Sequence, residues 1–260
     1  MLYSHMARII AFSNQKGGVG KTTSCVNMAA YLAEMGKKVL IVDVDPQGNA
    51  STGVGIEKSS STKTIYDVIC DQCDISESVQ LTRIKGLEII PATHDLAGAE
   101  IELVRTGTGR EKILANLLNK IKASYDFICI DCPPSLGLLT VNALVAADAI
   151  MIPIQCEFFA LEGISQLVNT VRLIRKNGLN PGLDIDGVIF TMVSSRSILT
   201  EQVANEVLKF FGKKVFRTRI PRNVRLAEAP SHGMPILLYD RKCAGALAYQ
   251  ELTKEYLTRI

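Results

Sequence analysis

Five short runs of this chain are apolar at nearly every position, and this pattern restricts the possible folds most strongly. The runs occupy residues 9–12, 39–42, 127–130, 150–154 and 188–190. A strand with one face in water alternates apolar and polar residues, whereas a strand that is apolar throughout has both faces buried. Strands of this second kind are typical of parallel sheets that helices cover on both sides. The runs therefore predict the strands of a mostly parallel sheet.

The segments between these runs have the pattern of helices. Residues 22–35 and 161–176 each end close to a glycine, which commonly terminates a helix. Residues 111–123 repeat apolar side chains at helical spacing. Strands that alternate with helices predict an α/β fold, a doubly wound and mostly parallel sheet with helices on both faces. Ligands of such sheets bind beyond the carboxyl ends of the strands.

Length and composition indicate a single domain. A chain of 260 residues with 47% hydrophobic content can bury the core of one α/β domain. We expect this domain to cover residues 1–260, with residues 1–7 as a flexible N-terminus. The seven cysteines are an odd number, and no charged and apolar leader precedes the first strand, which favours a reducing cytoplasm.

A glycine-rich loop lies between the first predicted strand and the first predicted helix. Residues 14–23 read NQKGGVGKTT, which ends like the phosphate-binding pattern G-x-x-x-x-G-K-[ST] but has Gln15 in place of the first glycine. In such a loop the lysine, here Lys21, lies between the β- and γ-phosphates, and the hydroxyl of Thr22 binds Mg²⁺. This context predicts a P-loop NTPase. The predicted nucleotide-binding residues of the loop are Gly17, Gly18, Val19, Gly20, Lys21, Thr22 and Thr23.

Three aspartates follow predicted strands. Asp43 and Asp45 come at the end of VLIVDVD, and Asp131 ends FICID. Each could serve only as a turn former or helix cap. Three carboxylates at the same sheet edge as a phosphate loop would repel one another without a cation, however. We therefore predict a magnesium ion at this edge, supported by Thr22 and Asp131.

These motifs resemble those of the ParA/MinD family of P-loop ATPases. KGGVGKTT is similar to the deviant Walker A motif of that family, VDVDPQGN to its following aspartate motif, and IDCPPSLG to its Walker B and switch region. The segments IQCEFFALEG (154–163) and IPRNVRLAEAPSHGMPILLYD (220–240) resemble the ParA/Soj branch, which partitions chromosomes and plasmids. The resemblance runs from about Arg8 to the end of the chain.

The resemblance implies a role for the second lysine of the loop. In this family the residue corresponding to Lys16 reaches the nucleotide of a second subunit, so that two chains enclose two ATP molecules in a sandwich homodimer. Lys16, Lys21 and Asp45 are then the catalytic residues, Asp45 orients the attacking water, and Asp43 and Asp131 support the metal. ATP and Mg²⁺ are the implied cofactors. The implied activity is a Mg-dependent ATPase, slow without its partner.

Recognition of the adenine base is implied at a later loop. In relatives the base contacts a segment that corresponds here to Pro221 and Asn223, with Met192 as a further candidate. Each of these residues could equally belong to an ordinary turn.

A basic segment near the C-terminus predicts DNA binding. Residues 196–225 contain eight basic and two acidic side chains, a local excess of six in a chain whose net charge is +3. No recognition-helix motif accompanies it, so we expect sequence-nonspecific, salt-sensitive contacts with the phosphates of double-stranded DNA. By resemblance, Arg196 and Arg225 contact DNA, and Arg222 is a neighbouring candidate. A charged face that binds only water is the alternative.

The resemblance also implies the partner and the cycle. ATP binding would produce the dimer and load it on DNA, and a ParB-like centromere-binding protein would stimulate hydrolysis and release. The expected location is the cytoplasm, in association with the nucleoid.

Other functions remain open from the sequence. A MinD-like membrane ATPase would end in a basic amphipathic helix, whereas AYQELTKEYLTRI has mixed charge. We expect this terminal helix to pack Tyr249, Leu252 and Tyr256 on the core, and we expect no membrane partner. A metabolic ATP-dependent ligase on the same fold and a scaffold that binds ATP without hydrolysing it are further alternatives.

Two cysteine pairs have the C-x-x-C spacing that metal sites use. They are Cys70 with Cys73 and Cys129 with Cys132. The gap between the pairs is far longer than that of a zinc ribbon, so we interpret them as incidental. An iron–sulfur carrier, with Cys132 near a dimer interface, is the alternative.

Overall fold

The computed structural model describes residues 7–57, 59, 62–157, 160–194 and 198–260. Its centre is a seven-stranded sheet with the strand order β3-β4-β2-β5-β1-β6-β7. The strands are β1 (Arg8–Phe12), β2 (Val39–Asp43), β3 (Gln80–Leu81), β4 (Leu87–Ile90), β5 (Phe127–Asp131), β6 (Ala149–Gln155) and β7 (Asp184–Thr191). Only β3 runs antiparallel to its neighbour among these strands, which confirms the mostly parallel sheet.

Eleven α-helices lie in the described part of the chain. They are α1 (Lys21–Glu34), α2 (Asn49–Gly53), α3 (Ile65–Ile69), α4 (Leu96–Thr106), α5 (Ile113–Ile121), α6 (Leu138–Ala146), α7 (Ala160–Lys176), α8 (Ile198–Phe211), α9 (Val224–Glu228), α10 (Ile236–Tyr239) and α11 (Ala244–Leu257). The helix predicted over residues 111–123 is shorter than expected, because a 3-10 turn precedes α5 and another follows it.

Successive residues of the central strands, such as β1, enter two separate cores. Ile9 and Ala11 of β1 belong to a cluster with helices α3–α8, whereas Ile10 and Phe12 belong to a second cluster with α1, α2 and α9–α11. The sheet therefore carries helices on both faces, as predicted for a doubly wound fold. This arrangement explains why the strands are apolar at every position.

The C-terminal helix α11 is part of the second core. Tyr249, Leu252 and Tyr256 are buried, and the Tyr249 hydroxyl lies 3.0 Å from the Ser24 hydroxyl on α1. The prediction of a docked terminal helix is confirmed. No helix within the described residues is both long enough and apolar enough to cross a membrane.

The flexible N-terminus over residues 1–7 stays a prediction. Its last residue, Ala7, is buried in the first cluster. The rest of the predicted flexible segment, residues 1–6, lies outside the described residues. Directly after Ala7, the Arg8 guanidinium pairs with Asp186 on β7 at 2.6 Å, which ties the start of β1 to the sheet.

Candidate nucleotide site

The glycine-rich loop connects β1 to α1, as predicted. Gly18 and Gly20 have φ of 73° and 84°, a backbone conformation that side chains with a Cβ rarely adopt. Val19 between them is buried, and its carbonyl accepts a hydrogen bond of 2.8 Å from the Thr191 hydroxyl at the end of β7. The loop is thereby fixed against the carboxyl end of the sheet, with the N-terminal N–H groups of α1 directly behind it.

Lys21, the first residue of α1, is held inside this loop. Only 6% of the residue is exposed, and its ammonium group donates a hydrogen bond of 3.2 Å to the Lys16 carbonyl. Burial lowers the pKa of Lys21, and the nearby Asp131 carboxylate opposes that shift. A buried ammonium with one neutral acceptor is suited to a polyanionic ligand such as a phosphate chain.

Parallel pairing places two of the predicted carboxylates side by side. Asp43 and Asp131 are register partners at the ends of β2 and β5, and both are fully buried. Asp43 accepts hydrogen bonds from the Ser51 N–H (2.9 Å), the Ser51 hydroxyl (2.7 Å) and the Asp45 N–H (3.2 Å). Burial nevertheless raises the pKa of Asp43 to about 6.

Asp131 differs from Asp43 because it accepts no close hydrogen bond, although the Thr22 hydroxyl and the Lys21 ammonium lie near enough to favour its charged form. Neither carboxylate oxygen has a hydrogen-bond partner among the described residues. Burial, and after it the Asp43 carboxylate, raise the pKa of Asp131 well above its usual range. Two adjacent buried carboxyl groups, of which one accepts no close hydrogen bond, fit a site that a cation completes.

The protein ligands alone do not make a closed metal site. Within the described residues, no three His, Cys, Asp or Glu side chains are grouped closely enough to hold a metal ion. Magnesium commonly binds one or two protein groups together with phosphate oxygens and water. The chemistry of Thr22 and Asp131 fits such an ion, which would neutralise the phosphates, whereas the oxygens of Asp43 are already occupied by Ser51 and Asp45. Asp43 and Asp131 as metal ligands remain predictions.

Asp45, the predicted water-orienting residue, lies just beyond β2. It is 6% exposed, and one carboxylate oxygen accepts a hydrogen bond of 2.9 Å from the Gln47 N–H. The bond fixes the turn that carries Asp45 beside the other two aspartates. Its catalytic role remains a prediction.

Lys16 lies on the outer side of the loop, away from the enclosed position of Lys21. Its ammonium group forms an ion pair of 2.5 Å with Glu157, beyond the end of β6. Its N–H donates to the Asn14 side chain at 3.0 Å, and that side chain in turn donates to the Pro153 carbonyl at 2.8 Å. The sequence did not indicate that Glu157 is the partner of Lys16, although Glu157 lies within the segment IQCEFFALEG (154–163).

A cleft of about 380 Å³ adjoins the loop and contains the residues predicted to recognise the base. Gly20 and Thr23 line one side, and Pro221, Asn223 and Met192 line the other. Met192 has φ of 50°, an uncommon conformation for a residue with a side chain. The structure thus brings all three predicted residues to the loop, and base recognition remains a prediction.

Ion pairs partly neutralise the predicted DNA-binding segment. Arg225 is exposed but pairs with Glu228 at 3.0 Å and lies 3.6 Å from Asp240. Other basic residues of the segment pair with Glu201, Glu206 or Asp184. Glu228, Asp240 and Asp184 lie outside residues 196–225, so the charge count of the segment overestimated its field.

The individual arginines predicted to contact DNA differ in their surroundings. Arg222 is exposed and forms no ion pair with a described residue. Arg225 is exposed with the two acidic neighbours given above. Arg196 lies outside the described residues. DNA contact by each of the three remains a prediction.

The cysteines do not form a recognisable redox or metal centre among the described residues. All seven are free thiols, and Cys129 and Cys132 are fully buried. Burial raises the pKa of both thiols, so they are protonated at neutral pH. This geometry supports the interpretation that the C-x-x-C spacing is incidental.

Comparisons with known proteins agree with this geometry. A family model described as an AAA domain matches residues 7–185. Sporulation initiation inhibitor protein Soj of Bacillus subtilis (strain 168) is 56% identical over 250 residues, which cover 96% of this chain and 98% of Soj. Chromosome partitioning protein ParA of Caulobacter vibrioides (strain NA1000 / CB15N) is 50% identical over 254 residues, 97% of this chain and 94% of ParA.

A solved structure from another functional class is also similar. Cobyrinic acid a,c-diamide synthase from Mycobacterium smegmatis, with bound ADP and magnesium, is 34% identical and superimposes with a TM-score of 0.83. The match covers 96% of this chain and 93% of that one. The fold is thus shared with a synthase that binds ADP and magnesium.

Proposed function

Since this chain belongs to the ParA/Soj family of chromosome-partitioning ATPases, we propose that it couples ATP binding and hydrolysis to dimerisation and DNA binding. The main support is the different placement of its two loop lysines. Lys21 is enclosed within the loop, whereas Lys16 projects from the outer side and pairs with Glu157. A cation on the outer side is positioned to meet a second subunit.

We propose that two ATP-bound chains form a sandwich homodimer. Lys16 leaves Glu157 and pairs with the phosphates held by the partner, where it stabilises negative charge during phosphoryl transfer. Lys21 and the N–H groups of the loop hold the phosphates of their own subunit. Thr22 and Asp131, with Asp43 behind them, support Mg²⁺, and Asp45 orients the attacking water. Loss of the γ-phosphate removes an anion from Lys16 and weakens the dimer.

DNA binding follows from dimerisation in this proposal. Arg196, Arg222 and Arg225 contact phosphates of double-stranded DNA without reading its sequence. A dimer presents two such surfaces, so its avidity for DNA exceeds that of one chain. A ParB-like centromere-binding protein stimulates hydrolysis, which is slow without it, and releases the chain from the nucleoid in the cytoplasm.

DNA retardation in the presence of ATP, ADP or no nucleotide tests this proposal. Retardation should be strongest with ATP and should weaken steeply between about 50 and 200 mM salt. An Arg222→Ala, Arg225→Ala double variant should lose most of the ATP-dependent retardation while it still binds ATP. Retardation that is identical in all three nucleotide states would refute the coupling of ATP to DNA.

The similarity to cobyrinic acid a,c-diamide synthase favours one second candidate, an ATP-dependent amide-forming enzyme. ATP turnover by such an enzyme would require a carboxylic acid and a nitrogen donor, and DNA would not affect it. The higher identity to Soj and ParA, 56% and 50%, supports the partitioning function over this candidate.

A further inference from the structure

A second cationic surface lies at the opposite edge of the sheet from the phosphate loop. It is a cleft of about 690 Å³, and five basic residues and a single acidic one, Glu34, are among those that line it. Lys37 and Lys38 directly precede β2, and the turn that contains Arg83 and Lys85 directly precedes β4. The cleft therefore opens at the amino ends of these two strands. The basic residues are Lys37, Lys38, Arg83, Lys85 and Arg241.

Most of these cations are not neutralised. Arg241 pairs with Glu34, but the other four form no ion pair with any residue that the structure describes. Lys38, Arg83 and Lys85 are exposed, and Lys37 is half-buried. Several basic residues of the segment 196–225, by contrast, already have acidic partners. The cleft therefore presents a concentrated positive charge that is free to bind an anion.

The backbone that carries these cations is hydrogen-bonded into the sheet edge. The Lys38 N–H donates to the Asp126 carboxylate at 2.7 Å, and the Val39 N–H donates to the Gly86 carbonyl at 2.8 Å. Gly86 has φ of 84°, which closes the turn between Arg83 and β4. The two basic segments are thus fixed beside each other in the folded chain.

The chain connects this cleft to the neighbourhood of Arg225. The Arg225 guanidinium lies 3.6 Å from Asp240, and the next residue, Arg241, lines the cleft. The four cations without a described acidic partner lie on two separate turns. A DNA duplex, which carries a phosphate charge about every 1.7 Å along its axis, can contact several of them at once.

We propose that this cleft is a second anchoring site for the phosphate backbone of double-stranded DNA. The proposal rests on the proposed function, and it adds Lys37, Lys38, Arg83 and Lys85 to the residues that bind DNA. Lysines and arginines on exposed turns contact phosphates without regard to base sequence. Each phosphate that they neutralise adds about 0.9 to the slope of log affinity against log salt.

The test compares two variants with equal loss of charge. The first replaces Lys37, Lys38, Arg83 and Lys85 by Gln. The matched control replaces Lys112, Lys122, Arg172 and Lys176 by Gln, since these side chains lie with α5 and α7 on the other face of the sheet. DNA affinity is measured with ATP by fluorescence anisotropy over a series of salt concentrations, and thermal melting and ATP affinity are measured beside it.

The cleft variant should bind DNA at least about tenfold more weakly at ~0.1 M salt, with a salt slope reduced by about 2 to 4. Its ATP affinity should equal that of the wild type. The control variant should lose much less affinity and slope. If the fourfold variant is poorly folded, the pairs Lys37→Gln, Lys38→Gln and Arg83→Gln, Lys85→Gln should each lose about half of the effect.

Two results would overturn the proposal. One is an equal loss of DNA affinity in the cleft and control variants, which would show that the loss depends on net charge and not on the position of the cations. The other is unchanged DNA binding together with lost binding of a polyglutamate peptide, which would assign the cleft to an acidic protein. Failure of the wild type to bind DNA in any nucleotide state would instead refute the proposed function.

Discussion

At the scale of single residues, the site depends on how each charge is compensated. Lys21, Thr22 and Asp131 could be predicted from the sequence, because a loop between a strand and a helix and an aspartate at a strand end are local patterns. Their partners could not. Glu157 is 141 positions from Lys16 in the sequence. Ser51 lies on α2 and contacts Asp43 only because the chain folds back toward β2. Such contacts depend on the packed fold.

Replacement of the two neighbouring aspartates should have opposite effects on stability without nucleotide. Asp131→Asn removes a buried charge that burial and the Asp43 carboxylate oppose more strongly than Thr22 and Lys21 favour it, so it should raise the free energy of unfolding at pH 8 by about 1–3 kcal/mol. Asp43→Asn should lower it by about 1–3 kcal/mol, because an amide nitrogen cannot accept from Ser51 or Asp45. Denaturant unfolding of both variants measures these changes.

The gain from Asp131→Asn should depend on pH. A raised pKa in the folded state means that the wild-type carboxyl group takes up a proton as pH falls, which removes the penalty of its buried charge. The difference from the wild type should therefore be larger at pH 8 than at pH 5. Destabilisation by Asp131→Asn at pH 8 would show that its charge is compensated in solution.

At the scale of helices and strands, prediction succeeded where the pattern was strong. All five apolar runs are strands, but β3 and β4 were missed. Strand β4 has only four residues and includes Glu88, while β3 has two residues and its Leu81 is 81% exposed. Strand β4 forms along the edge of β2, and β3 forms along the edge of β4, although their own sequences have little strand signal.

The anchoring of α11 gives a prediction at this scale. Glu255 accepts hydrogen bonds from the N–H groups of Arg217 and Thr218, both at 2.9 Å, and from the Thr218 hydroxyl at 2.7 Å. Although burial acts in the opposite direction, these donors lower the pKa of Glu255 below its usual 4.5. Glu255→Gln should reduce the free energy of unfolding by about 1–3 kcal/mol at pH 7.

The effect of Glu255→Gln should disappear in acid. A lowered pKa contributes stability that is present above 4.5 and is lost as pH falls through the folded value. Melting temperatures of the wild type and variant should therefore differ by a constant amount between pH 6 and 8 and converge below pH 4.5. The exposed substitution Glu251→Gln is the matched control, and an equal effect there would contradict the anchoring role.

At the scale of the whole molecule, the doubly wound sheet was predictable from the sequence, whereas the distribution of surface charge was not. The net charge of residues 196–225 does not include the acidic residues from other segments, such as Asp184 and Glu228, that pair with its basic side chains. The cations of the cleft were not predicted either, because they come from three separate segments of the chain. Surface fields depend on which segments the fold brings together, and a linear count does not contain that information.

Gly17 gives a prediction about assembly. It is exposed, does not have a positive φ, and a Cβ built on it meets no atom within 4 Å. Gly17→Val should therefore leave the fold and ATP affinity of the single chain unchanged, but it should block close approach of a second chain. Gly20→Val, at φ 84°, should instead disturb ATP binding itself. Equilibrium ATP binding and sedimentation distinguish the two variants.

The molar mass of the protein with Mg²⁺ and a non-hydrolysable ATP analogue, measured by light scattering after gel filtration, tests the role of Lys16 most directly. The wild type should elute as a dimer with the analogue and as a monomer with ADP. Lys16→Ala should bind the analogue with little loss of affinity and remain a monomer. A Lys16→Ala protein that dimerises with the analogue as completely as the wild type would contradict a role for this lysine across the subunit interface.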